Sequence, residues 1–222
     1  MTDTPEHSPK LADTAPLSSS RGRPKSEEKR EQIFAAATEL FPKLGFENVS
    51  MDMIAEHAGV SKQTVYSHFR NKDELYSTCI SRKCLSYQLS AEFMDVSLPV
   101  GEMLQEIGRR FVSLLLSKEA LQIYRISVGN AAQHPHLAEL FYRAGPEPTC
   151  QAVTEYMQHQ HERGVLSIPD ARTAASQFLF MLKGEAVMRA SLNIQPQPTA
   201  EQIEDYIKSC VVMFLRAYAQ VG

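Results

Sequence analysis

Apolar residues recur three and four apart along most of this chain, which is the spacing of one helix face, with polar positions falling opposite. Ile33, Ala37, Leu40, Phe41 and Leu44 form the first stripe, with Ser26 as its cap, Lys29 and Arg30 in its first turns and Gly45 as its stop. Phe46 and Val49 pin a connector to a short second helix bearing Ile54, Ala55 and Ala58. Gly59 breaks that helix, and Ser61 offers an oxygen to cap a third, on which Val65 and Phe69 recur four apart. A long fourth helix is expected from 72 to about 94. Leu104, Ile107, Phe111, Leu114 and Leu115 mark another, and 121–132 one more. A short helix runs from 135 to about 142, bounded by Gly145-Pro146, and the next covers 147–163 and ends at Gly164. Asp170 and Thr199 cap two long final helices. No segment has the two-residue alternation of a strand, so the expected fold is all-α, with a three-helix first domain and a helical second domain.

Within this pattern, 174–188 stands apart because it is apolar almost all round, with Phe178, Leu179, Phe180, Met181 and Leu182 in succession. In a soluble protein both sides of such a helix must be covered, and one side implies a second subunit. Phe178, Met181, Leu182 and Glu185 are the expected interface residues of a homodimer. The last helix instead keeps one clean stripe at Ile203, Ile207, Val211, Phe214 and Tyr218.

The second and third helices have the spacing of a helix-turn-helix: a small Ala55 four residues before Gly59 and the branched Val65 six after it let two axes cross closely. With Val65 and Phe69 turned inward, Lys62, Gln63, Thr64, Tyr66, Ser67 and His68 remain on the outer face and amino-terminal end of a recognition helix spanning 61–69. Lys62 suits guanine acceptors or a phosphate, Gln63 an adenine edge and Thr64 a thymine methyl, while Tyr66 and His68 can donate to phosphate oxygens.

Composition refines this picture. A length of 222 residues with 43% hydrophobic content permits a sizeable core and two domains. The net charge of −3 argues against a nucleic-acid binder until its distribution is seen. Residues 21–83 carry eleven Lys and Arg against nine acids, whereas both flanks are net acidic. Residues 1–20, rich in Pro, Ser, Thr and Asp, are expected to be a disordered tail. The cations Arg21, Arg23 and Lys25 follow at once, and Arg21 and Arg23 fit an arm in the minor groove, the alternative being a solvated linker. The polar first twenty residues do not resemble a signal peptide, and no apolar run reaches membrane-spanning length, so a cytoplasmic protein is expected.

The run from Ser26 to Leu75 resembles the amino-terminal domain of TetR-family transcriptional regulators. The resemblance rests on GFENVS followed by Gly59-Val60-Ser61, Thr64-Val65-Tyr66, His68-Phe69 and Asn71-Lys72-Asp73-Glu74-Leu75, in that order. It implies a DNA-binding domain over 21–72 and an effector-binding and dimerisation domain over 73–222. It also implies that Ser50 and Lys72 hold phosphates beside the base-reading set, Ser61 included, and that the helices of 147–163 and 170 to about 192 pair across a dimer. Gln63 departs from the Gly or Pro common at that position in the family. The carboxy-terminal half, through HPHLAELFYRAGP and HERGVL, is similar to the AefR-like regulatory class.

The implied function is a dimeric regulator that binds double-stranded DNA at an inverted-repeat operator, a repressor released by a small-molecule effector. Met103, Phe111, Tyr124, Met157, Phe180 and Met181 are adaptable aromatic and sulfur side chains of the kind that line such a cavity, and equally of the kind that fill a core. The alternative is a regulator answering a protein partner or oxidation of Cys79, Cys84, Cys150 or Cys210, which otherwise read as reduced core thiols. No catalytic motif, cofactor motif or cysteine pair appears, so neither an enzyme nor a cofactor is expected. His159 and His161, two apart on a helix, cannot close on one metal; His134 and His136 flank a proline with no carboxylate or thiol pattern beside them, and no metal is expected. Glu185 is expected to be a buried carboxylate, partnered by Arg189 or by a ligand.

Overall fold

The computed structural model describes residues 25–219, and the tail of 1–20 and the arm residues Arg21 and Arg23 lie outside them. Ten α-helices follow one another: α1 Lys25–Leu44, α2 Met51–His57, α3 Lys62–His68, α4 Lys72–Ser86, α5 Val100–Leu116, α6 Lys118–Gly129, α7 Pro135–Ala144, α8 Pro146–Glu162, α9 Ala171–Ser191 and α10 Ala200–Tyr218. A single 3-10 turn, Ala91–Phe93, lies between α4 and α5. The only β-type pairing among the described residues is one bridge, Leu166 to Ala219, so the fold is all-α as expected.

Local chemistry sets the helix starts. The side chains of Ser50, Ser61, Asn71, Ser117 and Asp170 each accept from a backbone amide three residues on, and Thr199 completes a capping box with Gln202. Ser26, expected as a cap, sits inside the first turn of α1 instead. Ser117 starts α6 at Lys118, three residues earlier than the apolar pattern suggested. The largest departure is α4, which stops at Ser86 and not near Met94, because Gln88 turns into the left-handed region at φ 55 and donates its amide to Leu85.

The apolar side chains gather in two clusters. One combines Ile33, Phe41, Ile54, Val65 and Phe69 with Leu75 and Tyr76 of α4, and it continues into Leu137 and Ala144 of α7. Tyr76 is its hub: its ring meets Phe41 and Phe46 edge-on, both at 5.1 Å, and its hydroxyl lies 3.3 Å from Ser127 of α6. The other cluster is built from α5, α8, α9 and α10 around Leu104, Ile107, Met157, Phe178 and Phe214. The covalent link through α4 is therefore joined by contacts of α6 and α7 with α1 and α4. Arg125 of α6 adds a tie to the far end of α9, donating to the carbonyls of Ala190 and Ser191.

Candidate nucleic-acid interface

The turn between α2 and α3 closes by two backbone bonds, Gly59 N to Glu56 O at 3.1 Å and Val60 N to Ala55 O at 3.0 Å. The second spans a loop that requires a left-handed residue, and Gly59 supplies it at φ 66. Ser61 then caps α3 by accepting from Thr64 N at 3.1 Å. Ile54, Ala55, Val65 and Phe69 are buried beneath the crossing. Arg30 of α1 fixes the other end of α3, donating to the His68 carbonyl at 3.1 Å with its guanidinium 4.5 Å from the Phe69 ring centroid. These buried and hydrogen-bonded positions leave Ser61, Lys62, Gln63, Tyr66 and Ser67 exposed along α3, with Thr64 and His68 half-buried at its flanks.

Several of these side chains already have partners. Lys62 Nζ contacts the Asp52 carboxylate at 2.8 Å, and that hydrogen bond raises the ammonium pKa. Thr64 Oγ1 lies 2.8 Å from Ser61 Oγ, and Ser67 Oγ donates to the Thr64 carbonyl. Ser50 Oγ accepts from Met53 N at the start of α2. Lys72 turns inward, donating to the Phe46 carbonyl at 2.7 Å with its ammonium 4.1 Å from the Phe46 ring centroid. Beside it, Asn71 caps α4 and Glu74 reaches back to the Arg70 amide at 2.8 Å, which leaves the exposed Arg70 held at the rim of the same surface. The sequence reading passed over Arg70, although a cation directly after the inward-facing Phe69 was the available signal.

Of the six residues expected to form an effector cavity, four come together and two do not. Met103, Phe111 and Met157 are buried in the second cluster and Met181 packs against it. Tyr124 is half-exposed and packs at 6.3 Å on Phe141, beside the reader's cluster. Phe180 is 66% exposed and faces away from the chain's own core. Two surface hollows, one between the α1–α2 turn and α6 and one between α9 and the start of α10, contain none of the six. Of the expected interface set, Phe178 and Leu182 are fully used inside the core and Met181 packs against it, while Glu185 is exposed at 3.7 Å from Arg189, not the buried carboxylate expected. Gly184, with φ of 44 and ψ of −168, breaks α9 immediately before Glu185.

His134 and His136 go to different carboxylates, Glu47 at 3.4 Å and Asp73 at 2.7 Å. Among the described residues no three His, Cys, Asp or Glu side chains are grouped to hold a metal, and no helix is long and apolar enough to cross a membrane.

Comparison with known proteins matches residues 33–79 to the family model for bacterial regulatory proteins of the tetR family. Residues 102–220, more than half the chain, match the carboxy-terminal domain of AefR-like transcriptional repressors. The chain belongs to the TetR family. It is accordingly a transcriptional regulator and not an enzyme. Among solved structures it is similar to a TetR-family regulator from Mesorhizobium loti, at 27% identity and TM-score 0.75, over 89% of this chain and all of that one. It is also similar to the flavonoid-responsive regulator FrrA, at 31% identity and TM-score 0.73, over 88% of this chain and all of that one. Of the curated relatives, YhgD of Bacillus subtilis, an HTH-type transcriptional regulator, is 24% identical over 63% of this chain and 71% of its own length. The HTH-type transcriptional activator FasR of Mycolicibacterium smegmatis is 45% identical, but over only 25% of this chain and 26% of its own length.

Proposed function

We propose that this TetR-family member is a homodimeric repressor that binds an inverted-repeat operator and is released by a small-molecule effector. The observation that carries the DNA side is the exposed row Lys62, Gln63, Tyr66 and Ser67 on a helix locked from behind by Val65, Phe69 and Arg30. Thr64 and His68 flank this row, Ser50, Ser61 and Lys72 stand at the helix starts, and Arg70 is added to the phosphate-contacting rim. The reading assigns 21–72 to the reader, with Arg21 and Arg23 as a minor-groove arm, and 73–222 to effector binding and dimerisation. Repression is supported by the AefR-like repressor match over the second half.

For dimerisation, α9 and α10 carry exposed large apolar side chains: Phe180 and Met188 on either side of Gly184, and Tyr206 and Met213 seven apart on one face of α10. The dimer face is therefore moved from the α8–α9 pair to the α9–α10 pair. An oxygen-bearing aromatic effector is supported by the likeness to FrrA, whose name states its response to flavonoids. A thiol sensor at Cys79, Cys84 or Cys210 is disfavoured, because burial pushes the Cys79 thiol up to about 12 and also raises Cys84 and Cys210, leaving little reactive thiolate.

A gel-shift titration with the DNA flanking the gene tests the DNA side. Gln63→Ala is expected to cost about 1 to 3 kcal/mol per half-site and to relax preference at one base pair, while Arg70→Ala weakens specific and random duplex alike and flattens the salt dependence. Equal losses on both duplexes for Gln63→Ala would remove it from the base-reading set. Lys72→Ala should also weaken all duplexes alike, but with a lowered Tm, because its ammonium pins the α1–α2 turn through Phe46. An unchanged Tm would show that this internal contact contributes nothing.

A further inference from the structure

The segment joining α4 to α5 is held down by side chains and not by a backbone ladder. Arg110 of α5 donates to the carbonyls of Gln88 and Phe93 at 3.2 and 3.3 Å, while Arg163 and Gln160, at the end of α8, both donate to that of Val96. The strap drives Leu89 and Met94 into the second core cluster. Two buried polar side chains stand one turn apart on α8, the first of them inside that cluster. Tyr156 is 3% exposed and its hydroxyl has no hydrogen-bond partner. Gln160 is 1% exposed, and although it lies close enough to influence the phenol, its amide nitrogen is directed to Val96 across a long 3.5 Å. An unpaired hydroxyl in an apolar core is costly, so a group that supplies its partner is favoured there. Met94, Met103 and Met157 in the same cluster are unbranched thioethers that adjust their shape to a guest.

We propose that the effector enters beneath this strap and that the Tyr156 hydroxyl donates a hydrogen bond to an acceptor oxygen on an otherwise apolar, aromatic ligand, with Gln160 as second polar contact. This rests on the effector-released reading above and gives it a site. Burial pushes the Tyr156 phenol up to about 12, so at neutral pH it remains a donor and selects ligands that bring an acceptor. The strap is continuous with α4, whose other end carries Asn71 and Lys72 beside the reader, so a guest that lifts Met94 also pulls on α4.

The test is calorimetric titration of the full-length protein with naringenin, a flavonoid bearing a carbonyl and phenols, and with flavan, the same carbon skeleton without them. The wild type should prefer naringenin, and Tyr156→Phe should lower naringenin affinity about tenfold while leaving flavan affinity unchanged. Tyr156→Phe without ligand should melt no lower than the wild type, since it removes only an unpaired hydroxyl. Failure of the wild type to bind naringenin, or unchanged naringenin affinity in Tyr156→Phe, overturns the proposal. So does a Tm drop of several degrees with both ligands weakened equally, which would make the hydroxyl structural. A gel shift in parallel separates this from the broader reading: naringenin that binds through Tyr156 but leaves the operator complex intact confirms the site and refutes effector release.

Discussion

Phe178→Ala is expected to destabilise the fold by about 3 to 5 kcal/mol, the range for deleting a fully enclosed aromatic ring. Phe178 is 0% exposed and packs at 5.1 Å on Phe214, which packs in turn at 4.8 Å on Tyr218. Tyr218 is tied back to α9 by its hydroxyl, 2.9 Å from Gln177 Oε1, so the two last helices cannot easily collapse into the space left behind. Urea unfolding should show a lower midpoint at similar slope, and a loss under about 1 kcal/mol would contradict close packing at this ring. Two residues on, Phe180→Ala should change the stability of the isolated subunit by no more than about 0.5 kcal/mol, because the ring is exposed. Its effect should appear in sedimentation, as dissociation of the proposed dimer at micromolar concentration. A dimer as tight as the wild type's would take Phe180 out of the interface.

Gly184→Ala should cost about 2 to 6 kcal/mol, from two sources of about 1 to 3 each. Its backbone angles belong to a region open essentially to glycine alone. An added Cβ would also lie 2.6 Å from Tyr206 Cε1, a ring whose hydroxyl donates to the Met181 carbonyl at 2.8 Å. The ring cannot withdraw without giving up that bond. Tyr206→Phe, which loses only the bond, should cost less than Gly184→Ala. Wild-type stability in Gly184→Ala, measured by thermal unfolding, would show that α9 can run straight.

The features readable in the sequence are those whose cause is local. Ser61, Asp170 and Thr199 act as caps where the pattern placed them, since a cap needs only a side-chain oxygen and an amide three residues on. The recognition helix was legible for the same reason, with Val65 and Phe69 buried and Lys62, Gln63 and Tyr66 outside. What failed depends on distant atoms. Nothing in the composition around Gln88 announces a left-handed residue, so α4 was read about eight residues too long. A run of five apolar residues cannot say which ring faces its own core, and packing against Phe214 placed Phe178 inside and left Phe180 outside. The contacts of α6 and α7 with the reader, which run beside α4, likewise depend on tertiary packing. Tyr156 drew no attention because a tyrosine on an amphipathic helix gives no hint of whether its hydroxyl will find a partner.

The Lys62–Asp52 pair bears on how such a reader would search a chromosome. Paired with a neighbouring carboxylate, the Lys62 ammonium reaches random duplex as half of a net-neutral couple. That weakens the nonspecific, counterion-driven attraction that would otherwise hold the protein at the wrong places. Only a groove offering a better acceptor than Asp52 draws the lysine away, so part of the discrimination lies in what the free protein must first give up.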